Sequence, residues 1–223
     1  MARKSQPKKK PRLGGPPTGP PNLLAGEDLP QPPQQERSRR AREALLDAAL
    51  ALFAEHGFEA TSVEEIAKRA GIAVGGFYSH FRSKRQALLV LMDRLLAELA
   101  AIDLNVPPGV DARLVVGVMV HTGLRIDWAY LGAYRAWHEM ILQDAALAKQ
   151  ARKIEAWTLS RLRLLAPVFA QAPNVRRDLD IETFCWVTNQ LFWRLTETNL
   201  ENRDAVERTV TAMLAHALFA DER

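Results

Sequence analysis

Ser83-Lys84-Arg85-Gln86 places two cations in the first turn of a helix, where they oppose the helix macrodipole. That placement makes sense where a phosphate docks on the helix N-terminal amides and Lys84 holds it. An ordinary surface lysine is the plainer alternative. Thr61 and Ser62, at the head of an earlier helix, carry hydroxyls that can donate to a phosphate, although a helix cap already accounts for Ser62. Upstream, Arg37, Arg39, Arg40 and Arg42 crowd into six residues. This pattern is chemistry for a polyanion. No glycine-rich phosphate loop, nucleophile elbow or metal-ligand cluster can be read, so no enzyme activity, catalytic residue, metal or cofactor is expected.

The charge has a direction along the chain. Residues 1–36 carry a net +3, residues 37–86 another +3, and the remainder −2. A basic end beside a near-neutral body suits a polyanionic partner, and a solvated surface is the bland alternative. Residues 1–36 hold 9 of the 13 prolines and few large apolar residues, so they are expected to be a disordered tail. The Lys8-Lys9-Lys10-Pro11-Arg12 run within it reads as a solubilising tail, an arm on DNA or a nuclear-import patch. Cys185 is the only cysteine, which fits a reducing, cytoplasmic setting. No apolar run is long enough to span a bilayer, so no membrane partner is expected.

The elements that must position these residues read as helices throughout. Leu45, Ala49, Leu52, Phe53 and His56 share one face of a first helix that Gly57 stops. Ser62-Val63-Glu64-Glu65 opens a second as a capping box, and Gly71 ends it. A third runs from about Ala73 to Phe81. Ser83 to Gln86 reads as another capping box, opening a long fourth through Leu88, Leu91, Leu95 and Leu99. Pro107-Pro108 breaks the chain. Further helices are expected near 110–125, 127–143, 145–171, 180–200 and 204–220. The fold class is therefore all-α: a three-helix head over 37–86 joined by a long helix to a larger helical body over 87–223.

The joint at Gly71-Ile72 has helix-turn-helix geometry. Thr61-Ser62-Val63-Glu64-Glu65-Ile66-Ala67, Ala70-Gly71-Ile72, Gly75-Gly76-Phe77-Tyr78-Ser79-His80-Phe81 and Ser83-Lys84 together resemble the N-terminal domain of the tetracycline-repressor (TetR) family. The resemblance covers about residues 38–88. It implies a homodimer on double-stranded DNA that acts as a transcriptional regulator, most simply a repressor leaving a palindromic operator when a small apolar effector binds. A DNA-binding regulator or activator without a ligand is the alternative.

The resemblance puts the third helix in the major groove, with Ala73, Val74, Gly75 and Gly76 at the reading positions. None of those side chains can make a bidentate bond to a base edge, so DNA shape and the basic residues before the head are expected to share in specificity. Tyr78, Ser79, His80 and Lys84 would flank the phosphates, while Phe77 and Phe81 read as core. Arg39 and Arg40, with the tail, would reach an adjacent minor groove.

In the body, His121, Trp128, Tyr134, Trp137, Met140 and Trp157 suit an apolar ligand pocket, with Trp128 and Trp137 preferred, although plain core explains each as well. His121 and His138 lack partners at metal-ligand spacing. The helix near 180–200 is apolar over much of its circumference, and the last helix adds Val206, Val210, Met213, Leu214, Ala217 and Leu218. The resemblance makes them a four-helix dimer bundle through Phe184, Leu191, Leu195, Val210, Met213 and Leu214, and the alternative is a monomer core.

Overall fold

A computed structural model describes residues 19–196 and 201–220. Helices follow in the order α1 (Glu36–His56), α2 (Val63–Arg69), α3 (Val74–Tyr78), α4 (Lys84–Ala101), α5 (Ala112–Ala129), α6 (Leu131–Ile141), α7 (Ala145–Leu162), α8 (Ala166–Gln171), α9 (Ile181–Thr196) and α10 (Arg203–Leu218). No strand is found among the described residues. The long helix expected over 145–171 is broken by a 3-10 turn at Arg163–Leu165 and restarts just before Pro167, which lacks an N–H and suits a first helical turn.

Local signals account for most ends. Ser62 and Glu65 form the reciprocal box, with the Ser62 N–H donating to the Glu65 carboxylate at 2.8 Å. The second box is only half made. Ser83 accepts the Gln86 N–H at 3.3 Å, but the Gln86 side chain accepts from Arg82 N instead, at 2.8 Å. Gly71 has φ +68°, the left-handed conformation that lets α2 turn into α3. Asp111, Asp144 and Asn202 cap α5, α7 and α10.

Leu45, Phe53, Ile66, Phe77 and Phe81 are all fully buried and form the head core. That core does not stop at residue 86. It continues through Leu88, Met92 and Leu95 of α4 into Ala133, Tyr134 and Trp137 of α6 and Ile154 and Trp157 of α7. A second cluster joins α5, α8, α9 and α10 around Val116, Leu124, Phe169, Phe184 and Leu214. The head and the body helix α6 therefore share apolar packing. Gly132 lets α6 approach α1 closely, since a Cβ there would collide with the Leu50 carbonyl of α1.

The expected free tail over 1–36 is corrected in part. Residues 1–18, with the basic run, lie outside the described residues. Residues 19–35 dock on α4: Leu23 is 5% exposed within the head core, Glu27 pairs with Arg85, and Gln86 donates to the Asp28 carbonyl at 3.1 Å. A single buried leucine and two polar latches outweigh the proline-rich composition here.

Candidate DNA-facing head and internal cavity

The first turn of α3 is on the surface. Ala73, Val74 and Gly75 are exposed, as are Tyr78 and Ser79 at its end, whereas Gly76 packs against Ile72. Arg39 and Arg40 are exposed too, each paired with Glu36 on the same helix, at 2.8 and 2.9 Å. Such exposed pairs are weak and exchangeable for a phosphate. Ser62 is committed to its cap.

Three expected phosphate anchors are engaged elsewhere. Lys84 donates to the carbonyls of Phe58, Glu59 and Thr61 at 2.7, 3.2 and 2.8 Å and lies 4.5 Å from the Phe58 ring centroid. An ammonium has three protons, so Lys84 ties down the α1–α2 turn rather than reaching outward. Thr61 is 1% exposed and its hydroxyl donates to Gly57 O. His80 is 7% exposed, and burial, with Arg42 nearby, lowers its pKa. Arg42 itself turns inward, donating to the His80 carbonyl and covering the Phe81 ring.

The same α1–α2 turn is held from the body. Glu139 of α6 accepts from the Phe58 and Glu59 amides at 2.8 and 3.1 Å, while Arg135, one turn earlier, donates to the Ala54 and Glu55 carbonyls at 2.8 and 3.3 Å. Cation and anion thus satisfy the α1 C-terminus and the amides beyond it. Nothing in the residue pattern near 135–139 announced this, because the partners lie some 80 residues away.

The other side of α6 faces a cavity of about 110 Å³. Leu95, Leu96 and Leu99 of α4, Met119 of α5, Trp157 of α7 and Phe192 of α9 make most of its wall apolar, and Asp127, Tyr134, Arg161 and Asn189 add polar groups. Of the six pocket residues expected from sequence, Tyr134 and Trp157 line it. Trp128 belongs to the second core cluster, Trp137 is fully buried away from the wall, Met140 packs on the head core, and His121 sits on the surface beside Glu207 at 2.9 Å. The missed residues Asp127 and Asn189 stand out only as polar interruptions of apolar helices.

Phe184, Val210 and Leu214 are buried in the second cluster, with Leu191 and Leu195 packed against it. Five of the six expected dimer residues are therefore filling this protomer. Met213 is 57% exposed, and Trp186 and Val187 of α9 are 51% and 49% exposed.

The family model described as "Bacterial regulatory proteins, tetR family" matches residues 45–90. Residues 45–90 are therefore similar to the domain that this family shares. Over 97 residues the chain is 38% identical to the HTH-type transcriptional repressor KstR2 of Rhodococcus jostii (strain RHA1), covering 41% of this chain and 46% of that protein. It is 40% identical over 55 residues to the transposon Tn10 TetC protein of Escherichia coli, 25% of this chain and 28% of that one. The chain thus matches less than half the length of these curated relatives. Beyond the matched head, the likeness is one of fold. The structure of the ketosteroid transcriptional regulator KstR2 of Mycobacterium tuberculosis superposes with a TM-score of 0.53 at 18% identity over 81% of this chain and 95% of that one. A tetR-family regulatory protein from Rhodococcus RHA1 gives 0.57 at 17% identity, over 82% and 98%. No described helix is long and apolar enough to cross a membrane.

Proposed function

We propose that this chain is a DNA-binding transcriptional regulator, a homodimeric repressor that leaves a palindromic operator when a small, largely apolar effector fills the body. The observation that carries the reading is the double role of α6. Tyr134 on one side of this helix lines the cavity, and Arg135 and Glu139 on another hold the turn that leads into the helix-turn-helix. A ligand that binds the two arrangements of α6 unequally shifts the head, and only that difference in affinity does work.

In this reading Ala73, Val74 and Gly75 approach the bases and Tyr78, Ser79, Arg39 and Arg40 meet the backbone. The small reading side chains leave room for shape recognition. The partner copy packs on the exposed Trp186, Val187 and Met213 rather than on the residues that fill the protomer. Two heads about 34–36 Å apart then address successive major grooves. The cavity favours a ligand-responsive protein over a regulator whose body is solid.

Selection of bound sites from random DNA with the full chain, followed by a small-molecule screen for release, tests the reading. Recovery of a two-fold symmetric site and its release by an apolar compound is expected. Absence of any enriched site would overturn the DNA-binding reading, and enrichment without release by any compound would overturn the effector.

A further inference from the structure

The polar groups in the cavity wall are incompletely paired. Asn189 is 2% exposed, lines the cavity, and its side-chain Nδ2 has no hydrogen-bond partner among the described residues. Buried donors are rarely left so, because the group loses water and gains nothing. Asp127 is 5% exposed and also lines the wall. Tyr134 donates to its Oδ1 at 2.8 Å, which leaves Oδ2 to interact with something else. Burial pushes the Asp127 carboxyl up to about 7.

These groups belong to one stretch of wall. Asn189 and Trp193 are one turn apart on α9. Trp193 meets Tyr134 edge-on at 5.7 Å between ring centroids, and Tyr134 is bonded to Asp127. One turn before Asp127, Gly123 lets the Phe192 ring approach, since a Cβ there would come 2.7 Å from it. So α5, α6 and α9 bring Asp127, Tyr134 and Asn189 to the wall of the same apolar space.

With Asp127 ionised, above about pH 7, few ligand groups satisfy both it and Asn189. An ammonium would pair with Asp127 but set its own donors against the Asn189 N–H. A carboxylate would accept from Asn189 but face the Asp127 charge. A hydroxyl accepts from Asn189 through its oxygen and donates its proton to Asp127. Arg161, also on the wall, is drawn to the Ile102 carbonyl at 2.6 Å and lies 5.5 Å from the Trp157 ring centroid.

We propose that the cavity takes a neutral, largely apolar molecule bearing a hydroxyl, held between Asn189 and Asp127. This rests on the effector reading for its biological use but not for its chemistry. Asn189 then sets ligand specificity, and the leucines and aromatics around it supply the affinity.

Trp157 and Trp193 line the wall, so intrinsic fluorescence of the full chain reports occupancy. The probes are a matched ring series: cyclohexylmethanol, methylcyclohexane, cyclohexylmethylamine and cyclohexanecarboxylate. The alcohol is expected to bind roughly tenfold more tightly than each of the others, the size of one buried hydrogen bond. Asn189→Leu is expected to reduce the preference for alcohol over hydrocarbon several-fold, the bond to Asp127 remaining, while hydrocarbon binding persists. The ranking on the unmodified chain stands by itself should that variant not fold. Equal or tighter binding of the amine or carboxylate, a preference left unchanged by Asn189→Leu, or uptake of no probe by DNA-binding protein would overturn the proposal. DNA release is scored separately: an alcohol that binds and leaves the DNA complex intact supports the ligand assignment and removes the effector reading.

Discussion

The Glu139 carboxylate on α6 accepts the backbone N–H of Phe58 at 2.8 Å. Between them sits Gly57, with φ +85°, where a Cβ would collide with that carboxylate. A body helix thus caps the turn that leads into the helix-turn-helix. Glu139→Ala should cost about 1.5–3 kcal/mol in chemical denaturation, as charged hydrogen bonds do. It should also loosen the link between cavity and head, so that a bound effector changes DNA affinity less than in the parent. Gly57→Ala should destabilise by about 1–3 kcal/mol, through the positive φ and the displaced carboxylate. Unchanged denaturation midpoints for both would remove the capping role.

Lys84 is the residue whose expected role changes most. With three carbonyls around its ammonium, Lys84→Ala should lower stability by about 1.5–3 kcal/mol. Its effect on the salt dependence of DNA binding should be small, because no proton of Lys84 faces outward. A flatter salt slope with an unchanged melting temperature would restore the phosphate role.

Asp127 predicts a pH dependence with a definite sign. Its carboxyl rises from 3.8 to about 7 in the folded protein, chiefly through burial. Between those values the folded state holds a proton that the unfolded chain has released. Stability should therefore fall as pH rises from about 4 to about 7, by on the order of 1.4 kcal/mol per pH unit, and level off above. Asp127→Asn should flatten this part of the stability profile. A parent and variant with parallel profiles over that range would show that the buried carboxyl is not the cause.

The outward residues of α9 and α10 and the inward ones should separate cleanly. Trp186→Glu should weaken self-association at least tenfold in sedimentation while changing monomer stability by only about 0.5 kcal/mol. Phe184→Ala should instead destabilise the protomer by about 3–5 kcal/mol. A Trp186→Glu protein that remains fully dimeric at low concentration would place the interface elsewhere.

The docked segment before α1 should register in stability. Leu23→Ala is expected to cost about 2 kcal/mol, because the side chain is buried against α4. Removing residues 1–35 should cost at least as much. A truncated chain that melts with the parent would return this segment to a free tail.

Short-range signals in the sequence were enough for most of the helices, though not for the break at Arg163–Leu165, and for the turn between α2 and α3. Apolar spacing set the buried faces of α1 and α4, Ser62 and Glu65 capped each other as their spacing predicts, and Gly71 took its positive φ. The motif around Tyr78 and Lys84 carried a resemblance that the family model repeats over residues 45–90. These features depend on neighbours three or four residues apart, which a linear reading contains. Only the tertiary structure decided what Lys84, Thr61 and His80 do, because their partners or the atoms that bury them come from packing of other segments. It also decided that Leu23 is core, that Phe184 faces inward while Trp186 faces out, and that Asp127 and Asn189 share a cavity. An apolar helix can bury any side of itself, and which side it buries is set by neighbours that are distant in sequence.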